Sequence, residues 1–308
     1  MSSTAAADPI GRDVVIRHLQ ALGSLEAETG PSLPLGITGV RLEPDGSLSL
    51  DGRNLVMTER RLSDLLDVDP GIRYLADPDA ASELYRSGQD PVLYRAVRRF
   101  LPSRSLTSRD LVVAGNDDEA RGLLTADLVV YEPGVLPGGE PFRSTGHWNL
   151  PGQLEIFEVL SGRIAMLVAG RNRSGEAFAY VQICPAGTTM AVPFDIWHVS
   201  YVLDGPAVVF NVSARLQEAG LAAGTDKYHR AKAVGLTLKR DLTVVGDDDA
   251  FREWGTPGGA PATDWFTDLL APGQSLADLH VHGSPEQLST VVRTALDAYD
   301  EGWPMMPR

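Results

Sequence analysis

The sequence of 308 residues predicts an all-β fold, an antiparallel sandwich or barrel with helical additions at both ends. Between residues 123 and 215, strand-like apolar runs recur about every 8–12 residues and are separated by Gly and Pro turns. The high counts of Gly (31) and Pro (21) favour short strands and turns over long helices. Within these strands, two histidines and a glutamate recur at a spacing that suits a metal site inside a small barrel.

The N-terminal part combines one helix, a hairpin and a second, shorter helix. Asp8 and Pro9 are typical of a helix start, and apolar residues at helical spacing continue to about Glu28. Residues 37–50 predict a β-hairpin around the turn at residues 44–46. Asp77 and Pro78 predict a short helix that ends near residue 87.

The central part consists of predicted strands. Residues 90–97 predict a strand, whereas residues 101–122 are polar and predict a loop with one helical turn. Further strands are predicted over 124–131, 146–147, 155–160, 164–169, 178–183, 188–192, 198–203 and 207–212. This succession of strands and tight turns indicates the antiparallel barrel or sandwich.

The composition changes again towards the C-terminus. Residues 247–249 predict a solvated turn, residues 255–261 a linker and residues 264–270 a short helix. His280 and His282 lie at the spacing of one face of a short strand, either a polar surface strand or a second metal pair. Ser284 predicts the cap of a final helix that runs to about Asp300. We therefore predict three parts: a helical extension (1–34), a barrel domain (35–250) and a second helical extension (251–308).

Charge and cysteine content restrict the possible partners. The net charge of −14 argues against nucleic acid or an anionic membrane surface as a partner. The single cysteine, Cys184, excludes an internal disulfide and fits the reducing cytoplasm, and its position at a strand end predicts a packing role. Neither a signal peptide nor a membrane-spanning run is expected, so we predict a cytoplasmic protein.

Four residues form the candidate metal shell. His147 and Asn149 are two residues apart on one predicted strand and therefore face the same side. Glu155 follows on the next strand, and His198 comes from a distant strand that can pair with the first. Two imidazoles and a carboxylate suit Fe, Mn, Zn, Co or Ni, and Asn149 could add a carbonyl oxygen. The alternative is that each histidine is an ordinary interior residue.

The motifs resemble those of the cupin-type glucose-6-phosphate isomerases. The resemblance rests on residues 146–149, 155–162, 185–193 and His198, and outside the barrel motif on residues 60–64, 90–94 and 133–134. It covers about residues 35–245. It implies a cupin fold, that is, a double-stranded β-helix or jelly-roll barrel, over the central part of the chain.

The resemblance also implies an activity. The family interconverts glucose 6-phosphate and fructose 6-phosphate, a step of glycolysis and gluconeogenesis, with one divalent metal ion held by three histidines and one glutamate. By position, His147, Glu155 and His198 match metal ligands, and Asn149 stands where the family has a histidine. Phe157 stands where a tyrosine is common.

The remaining site residues follow from the same positional match. Tyr94, Ser144 and Gly146 match substrate-binding positions, and Tyr228 falls near a further one. Glu155 is the candidate that takes and returns the proton during aldose–ketose isomerisation. The implied partner is a small sugar phosphate, and we expect a homodimer. The alternatives are an isomerase or epimerase acting on another sugar in a biosynthetic pathway, and a non-catalytic, sugar-binding cupin.

Overall fold

The computed structural model describes residues 33–35, 37, 40–44, 46–50, 52–66, 75–108, 120–149, 153–171, 175–192, 196–216, 233–260 and 274–300. The strands of this part are β1 (Leu33–Pro34), β2 (Val40–Leu42), β3 (Leu48–Leu50), β4 (Arg53–Asn54), β5 (Thr58–Arg61), β6 (Val92–Ser108), β7 (Ala120–Tyr131), β8 (Val135–Leu136), β9 (Glu140–Pro141), β10 (His147–Trp148), β11 (Gln153–Arg171), β12 (Ala177–Pro185), β13 (Thr189–Val192), β14 (Trp197–Leu216), β15 (Leu236–Leu238), β16 (Val244–Gly246) and β17 (Gly258–Ala260). The helices are α1 (Leu62–Leu66), α2 (Pro78–Arg86), α3 (Asp248–Trp254), α4 (Leu276–His282) and α5 (Pro285–Asp300), with a 3-10 turn at Pro137–Gly139.

Two long strands, β11 and β14, run through both walls of the barrel. They span 19 and 20 residues and pair with each other antiparallel. Residues 153–161 of β11 and 208–215 of β14 form the first wall with β13 on one side and β7, β6 and β5 on the other. Residues 163–169 of β11 and 197–204 of β14 form the second wall with β10, β12 and β17. Register shifts between residues 159 and 164 of β11 mark the bend between the walls.

The predicted all-β barrel is confirmed, and the predicted final helix is confirmed as α5. A first apolar cluster fills the space between the walls and includes Val129, Val159, Leu167 and Val209. A second cluster lies on the outer face of the first wall, where apolar residues of β7, β11 and β14 pack against α4 and α5. The alternation of side chains on the first wall thus buries both of its faces.

Helix α4 is fixed to the barrel at both of its ends. Ser275 and Asp278 form a capping box at its start, and the Leu276 N–H donates to Glu158 Oε2 at 2.7 Å. At the other end, the Arg104 guanidinium donates to the carbonyl oxygens of residues 280, 281 and 283 at 2.8–3.0 Å. Glu158 faces away from the cavity, and α4 covers it.

This helix corrects the prediction for His280 and His282. We predicted a short strand, in which the two side chains would share a face, but residues 276–282 form a helix. Residues two apart on a helix point in different directions, so His280 is buried beside Phe210 while His282 is exposed. The second metal pair is therefore wrong.

Three further expectations need correction, and two fall outside the described residues. The predicted loop at 101–122 is instead occupied at both ends by β6 and β7, which pair through their backbones there despite polar side chains. Residues 247–249 cap and begin α3, and the predicted linker at 255–261 contains β17, which pairs with β12. Outside the described residues lie the predicted helices over 8–28 and 264–270.

No helix of the described part is long and apolar enough to cross a membrane.

The Cys184 thiol is expected to be inert in the folded protein. Its side chain is buried beside Met190, and burial raises the pKa of the thiol to about 12. At about pH 8, roughly one thiol in 10⁴ is then ionised, and the thiolate is the reactive form. We expect no reaction with Ellman's reagent until guanidinium unfolds the chain, when one thiol per chain should react. Fast reaction of the native protein would contradict this packing.

Candidate metal centre

The two histidines of the candidate centre lie opposite each other on the paired strands β10 and β14. His147 pairs with His198 in the β10–β14 ladder, and their rings lie 4.3 Å apart in an edge-on arrangement. Gly146 precedes β10 with a φ of +74°, and a Cβ there would lie 3.0 Å from the Trp197 ring and 3.2 Å from Val199. Glycine is therefore required for the chain to approach β14 this closely.

A carboxylate from the opposite wall completes the cluster. Glu155 Oε2 lies 3.4 Å from His147 Nε2 and 3.1 Å from His198 Nε2. One ligand atom from each of the three residues can be chosen so that all lie within 4.8 Å of one another. The sequence prediction that these three residues meet in space is thus matched by the geometry.

The orientation of Glu155 is set by two neighbours on the first wall. Gln153 Nε2 donates to Glu155 Oε1 at 3.0 Å, and Ser213 Oγ donates to the same oxygen at 3.2 Å. Burial raises the pKa of the Glu155 carboxyl, but His147 and His198 lower it by more, so this pKa lies well below its usual range. Glu155 is therefore ionised at neutral pH, and its Oε2 is directed at the two imidazoles.

The donor set fits a divalent transition metal. Two imidazole nitrogens and one carboxylate oxygen suit Zn, Fe, Mn, Co or Ni, and three protein ligands leave coordination positions for a substrate. The hydrogen bonds from Gln153 and Ser213 are of the kind that orients a metal-binding carboxylate from behind. His147, Glu155 and His198 would hold such an ion.

The cluster opens into a cavity of about 330 Å³ between the walls. Of the predicted substrate-binding residues, Tyr94 and Ser144 line this cavity, and Tyr94 Oη lies 3.3 Å from Thr145 Oγ1. Gly146 is not among the lining residues and acts through the backbone geometry described above. Tyr228 lies outside the described residues.

Asn149 lies beside the cluster rather than on the cavity wall. Its side chain is 1% exposed, and its Nδ2 donates to the Val192 carbonyl oxygen at 2.7 Å. Its backbone N–H donates to the Ile196 carbonyl at 3.0 Å. The amide nitrogen thus bonds to the backbone of the neighbouring segment, and the candidate centre consists of His147, Glu155 and His198.

A buried ion pair supports the cavity wall that carries Ser144. The side chains of Arg143 and Glu140 are both 0% exposed, and Arg143 Nη1 donates to Glu140 Oε1 at 3.0 Å. The same guanidinium donates to the carbonyl oxygens of Ser144 at 3.1 Å and Thr145 at 3.3 Å. This network fixes the backbone of residues 143–145, which places two hydroxyl groups at the cavity.

Sequence reasoning missed several polar residues on the cavity wall. Asp127, Asn211 and Ser213 line the cavity from β7 and β14, where they interrupt otherwise apolar runs. Polar residues at the inward positions of an apolar strand are a signal that could have identified them. Arg98 and Arg99 also line the cavity.

Comparison with known proteins gives no family assignment. No family model and no curated protein matches the chain. Among solved structures, an oxalate oxidase matches with 18% identity over 41% of this chain and 53% of its own, with a TM-score of 0.27. Peruvianin-I, a cysteine peptidase from Thevetia peruviana latex, matches with 16% identity over 38% and 63% of the two chains, with a TM-score of 0.24. KdgF from Halomonas sp. matches with 14% identity over 38% and 99%, with a TM-score of 0.22. The matched part thus spans about half of the oxalate oxidase chain, and at such TM-scores these likenesses carry no argument about activity.

Proposed function

We propose that this protein is a metal-dependent enzyme that acts on a small, oxygen-rich, anionic substrate. The observation that carries the proposal is the convergence of His147 Nε2, Glu155 Oε2 and His198 Nε2 at one end of an open cavity. A buried, ionised carboxylate directed at two imidazoles is the arrangement that binds a divalent ion, and the cavity leaves space for a substrate beside it.

The other cavity residues favour a substrate with several hydroxyl groups. Asn211 is 8% exposed and lines the cavity, and within the described residues its Oδ1 has no hydrogen-bond partner. Burial raises the pKa of the Tyr131 hydroxyl well above its usual range, so this hydroxyl stays protonated and can donate. Ser144 and Thr145 add two further hydroxyl groups. A sugar or sugar derivative would satisfy these donors and acceptors.

The finer proposal is aldose–ketose isomerisation of a sugar phosphate, with glucose 6-phosphate as the first candidate. It rests on the sequence resemblance together with the centre. When bound, a divalent metal would supply Lewis-acid polarisation of the substrate carbonyl. Glu155 is proposed as the group that moves the proton between carbon atoms, although its hydrogen bonds to Gln153 and Ser213 equally suit a metal ligand.

A second candidate is isomerisation or epimerisation of another sugar. Asn149 stands where the resembled family has a histidine ligand; its Nδ2 donates to the Val192 carbonyl, and it is not among the cavity-lining residues. Phe157 lines the cavity with its ring 5.5 Å from that of His198, where a tyrosine would add a hydroxyl group. Both differences change the surroundings of the reacting atoms rather than the fold.

An isomerase assay on the metal-loaded protein tests the proposal. We expect conversion of glucose 6-phosphate to fructose 6-phosphate, and we expect it to disappear after chelation and return with added metal. The control is the same preparation carrying Glu155→Gln, which removes the proton carrier and weakens the centre. Metal binding without turnover of glucose 6-phosphate, but with turnover of another sugar, would replace the first candidate by the second. A protein that binds no metal and turns over no sugar would contradict the proposed function.

We also propose that the chain forms a homodimer in solution. Strands β5 and β13 end the first wall within the described residues, and open strand edges favour pairing or coverage by another chain. We expect light scattering at micromolar concentration to give twice the mass of one chain. A monomer under these conditions would contradict the proposal.

A further inference from the structure

Strand β6 carries an irregularity directly at the cavity. Val97 pairs with Leu128 of β7, and the next paired residue of β6 is Leu101, which faces Ala126. Three residues of β6 therefore lie opposite the single residue Asp127. Such a bulge changes the direction of side chains, which otherwise alternate between the two faces of a strand.

The consequence is that two consecutive arginines face the same cavity. Arg98 continues the alternation of β6 on the cavity side, whereas Arg99 would point to the opposite face of a regular strand; both line the cavity. Arg99 has a φ of +51°, an unfavourable backbone conformation for a residue with a Cβ. Strained residues that persist next to a cavity are often connected with function.

A single carboxylate holds the bulge in place. Asp127 Oδ1 accepts the Arg99 backbone N–H at 2.7 Å, and Asp127 Oδ2 accepts Arg98 Nη1 at 2.6 Å. The Arg99 guanidinium makes no ion pair with any residue of the described part. Asp127 thus balances one of these two guanidinium groups, and Arg60 lines the same cavity from β5. The other carboxylate of the cavity wall, Glu155, is directed at His147 and His198.

We propose that Arg98 and Arg99 form a subsite for an oxyanion of the substrate, a phosphate or a carboxylate group. The subsite rests on the proposed function in that it would anchor the substrate whose reacting end meets the metal centre. Guanidinium groups bind both kinds of oxyanion through paired, charge-assisted hydrogen bonds. The protein as a whole carries a net charge of −14, so an anion would be held by local positive charge such as that of these arginines and not by the overall charge of the protein.

The test measures binding of inorganic phosphate and of malonate to the full-length protein by calorimetry at constant ionic strength. Arg99→Gly is the informative variant, because it removes the guanidinium and also relieves the positive φ. Its thermal midpoint should equal or exceed that of the wild type, while affinity for the anion should fall at least about tenfold.

A second variant has a closely matched control. Arg98→Ala should weaken anion binding in the same way. The control is Arg163, whose side chain is 48% exposed, as that of Arg98 is, and which likewise pairs with one carboxylate, that of Asp204, at 2.8 Å. Unlike Arg98, Arg163 does not line the cavity. Arg163→Ala should therefore leave anion affinity within about twofold of the wild type.

The anion that binds more tightly to the wild type identifies the group that the subsite takes. The proposal is overturned if the wild type binds neither anion, or if Arg99→Gly binds both as the wild type does. The metal content of the same samples separates this result from the proposed function. Arginine-dependent anion binding by a protein that takes up no metal would keep the subsite and reject the enzyme, whereas a metal-loaded protein without anion binding would do the reverse.

Discussion

Replacement of His147 by alanine is expected to lower the affinity for a divalent ion at least about 100-fold. Loss of a residue that only hydrogen-bonds to a metal ligand already lowers metal affinity by up to about 100-fold. His147 is itself a proposed ligand, so its loss should cost at least as much. The His147 side chain is only partly buried at the cavity, so its removal leaves solvent-accessible space rather than an internal void. The fold should therefore persist while the ion is lost.

Elemental analysis provides the measurement. Wild-type protein incubated separately with Mn, Fe, Zn, Co or Ni and then desalted should retain about one ion per chain with at least one of them. His147→Ala should retain almost none, and its circular dichroism spectrum should remain that of the wild type. His282→Ala is the control, because His282 is an exposed residue on α4. Equal retention by His147→Ala and wild type would reject the centre.

Replacement of Glu140 by alanine is expected to destabilise the protein by about 3–5 kcal/mol. The change leaves the Arg143 guanidinium buried without its carboxylate, and a buried charge without a partner of opposite sign is costly. It also removes the acceptor of the Ala76 backbone N–H, which bonds to Glu140 Oε2 at 2.9 Å. The effect should be larger than that of most single substitutions.

Urea unfolding measures this change, and α2 offers a matched control. Glu83 and Arg86 have the same sequence separation as Glu140 and Arg143, but their side chains are 73% and 66% exposed. Glu83→Ala should change the free energy of unfolding by about 0.5 kcal/mol or less. If both substitutions have similar small effects, the Glu140–Arg143 pair does not support the cavity wall as we describe.

The barrel itself could be predicted from the sequence because its strands carry local signals. Apolar runs of strand length separated by Gly and Pro turns specify antiparallel strands, and His147, Glu155 and His198 lie within them. The convergence of these three residues, however, depends on the pairing of β10 with β14 and on the bend of β11, and neither can be inferred from a single sequence. The candidate metal centre could therefore be predicted only through the resemblance and the spacing of its residues.

Other features of the structure were not predicted from the sequence, for physical reasons that differ from one feature to the next. Helix α4 was missed although Ser275 and Asp278 stand at capping-box positions, because the two nearby histidines suggested strand alternation. The continuation of β6 beyond residue 100 depends on backbone pairing, which polar side chains conceal. The bulge at Arg98 and Arg99 could not be predicted, because alternation places consecutive residues on opposite faces.

The division of the centre between the two walls couples ion binding to the mechanics of the barrel. His147 and His198 belong to the second wall and Glu155 to the first, so an ion held by all three would cross-link them. Such an ion stabilises the folded chain by mass action and resists breathing motions that separate the walls. The rate at which the ion exchanges with solution would then report how often the barrel opens, which makes metal release a kinetic probe of the fold.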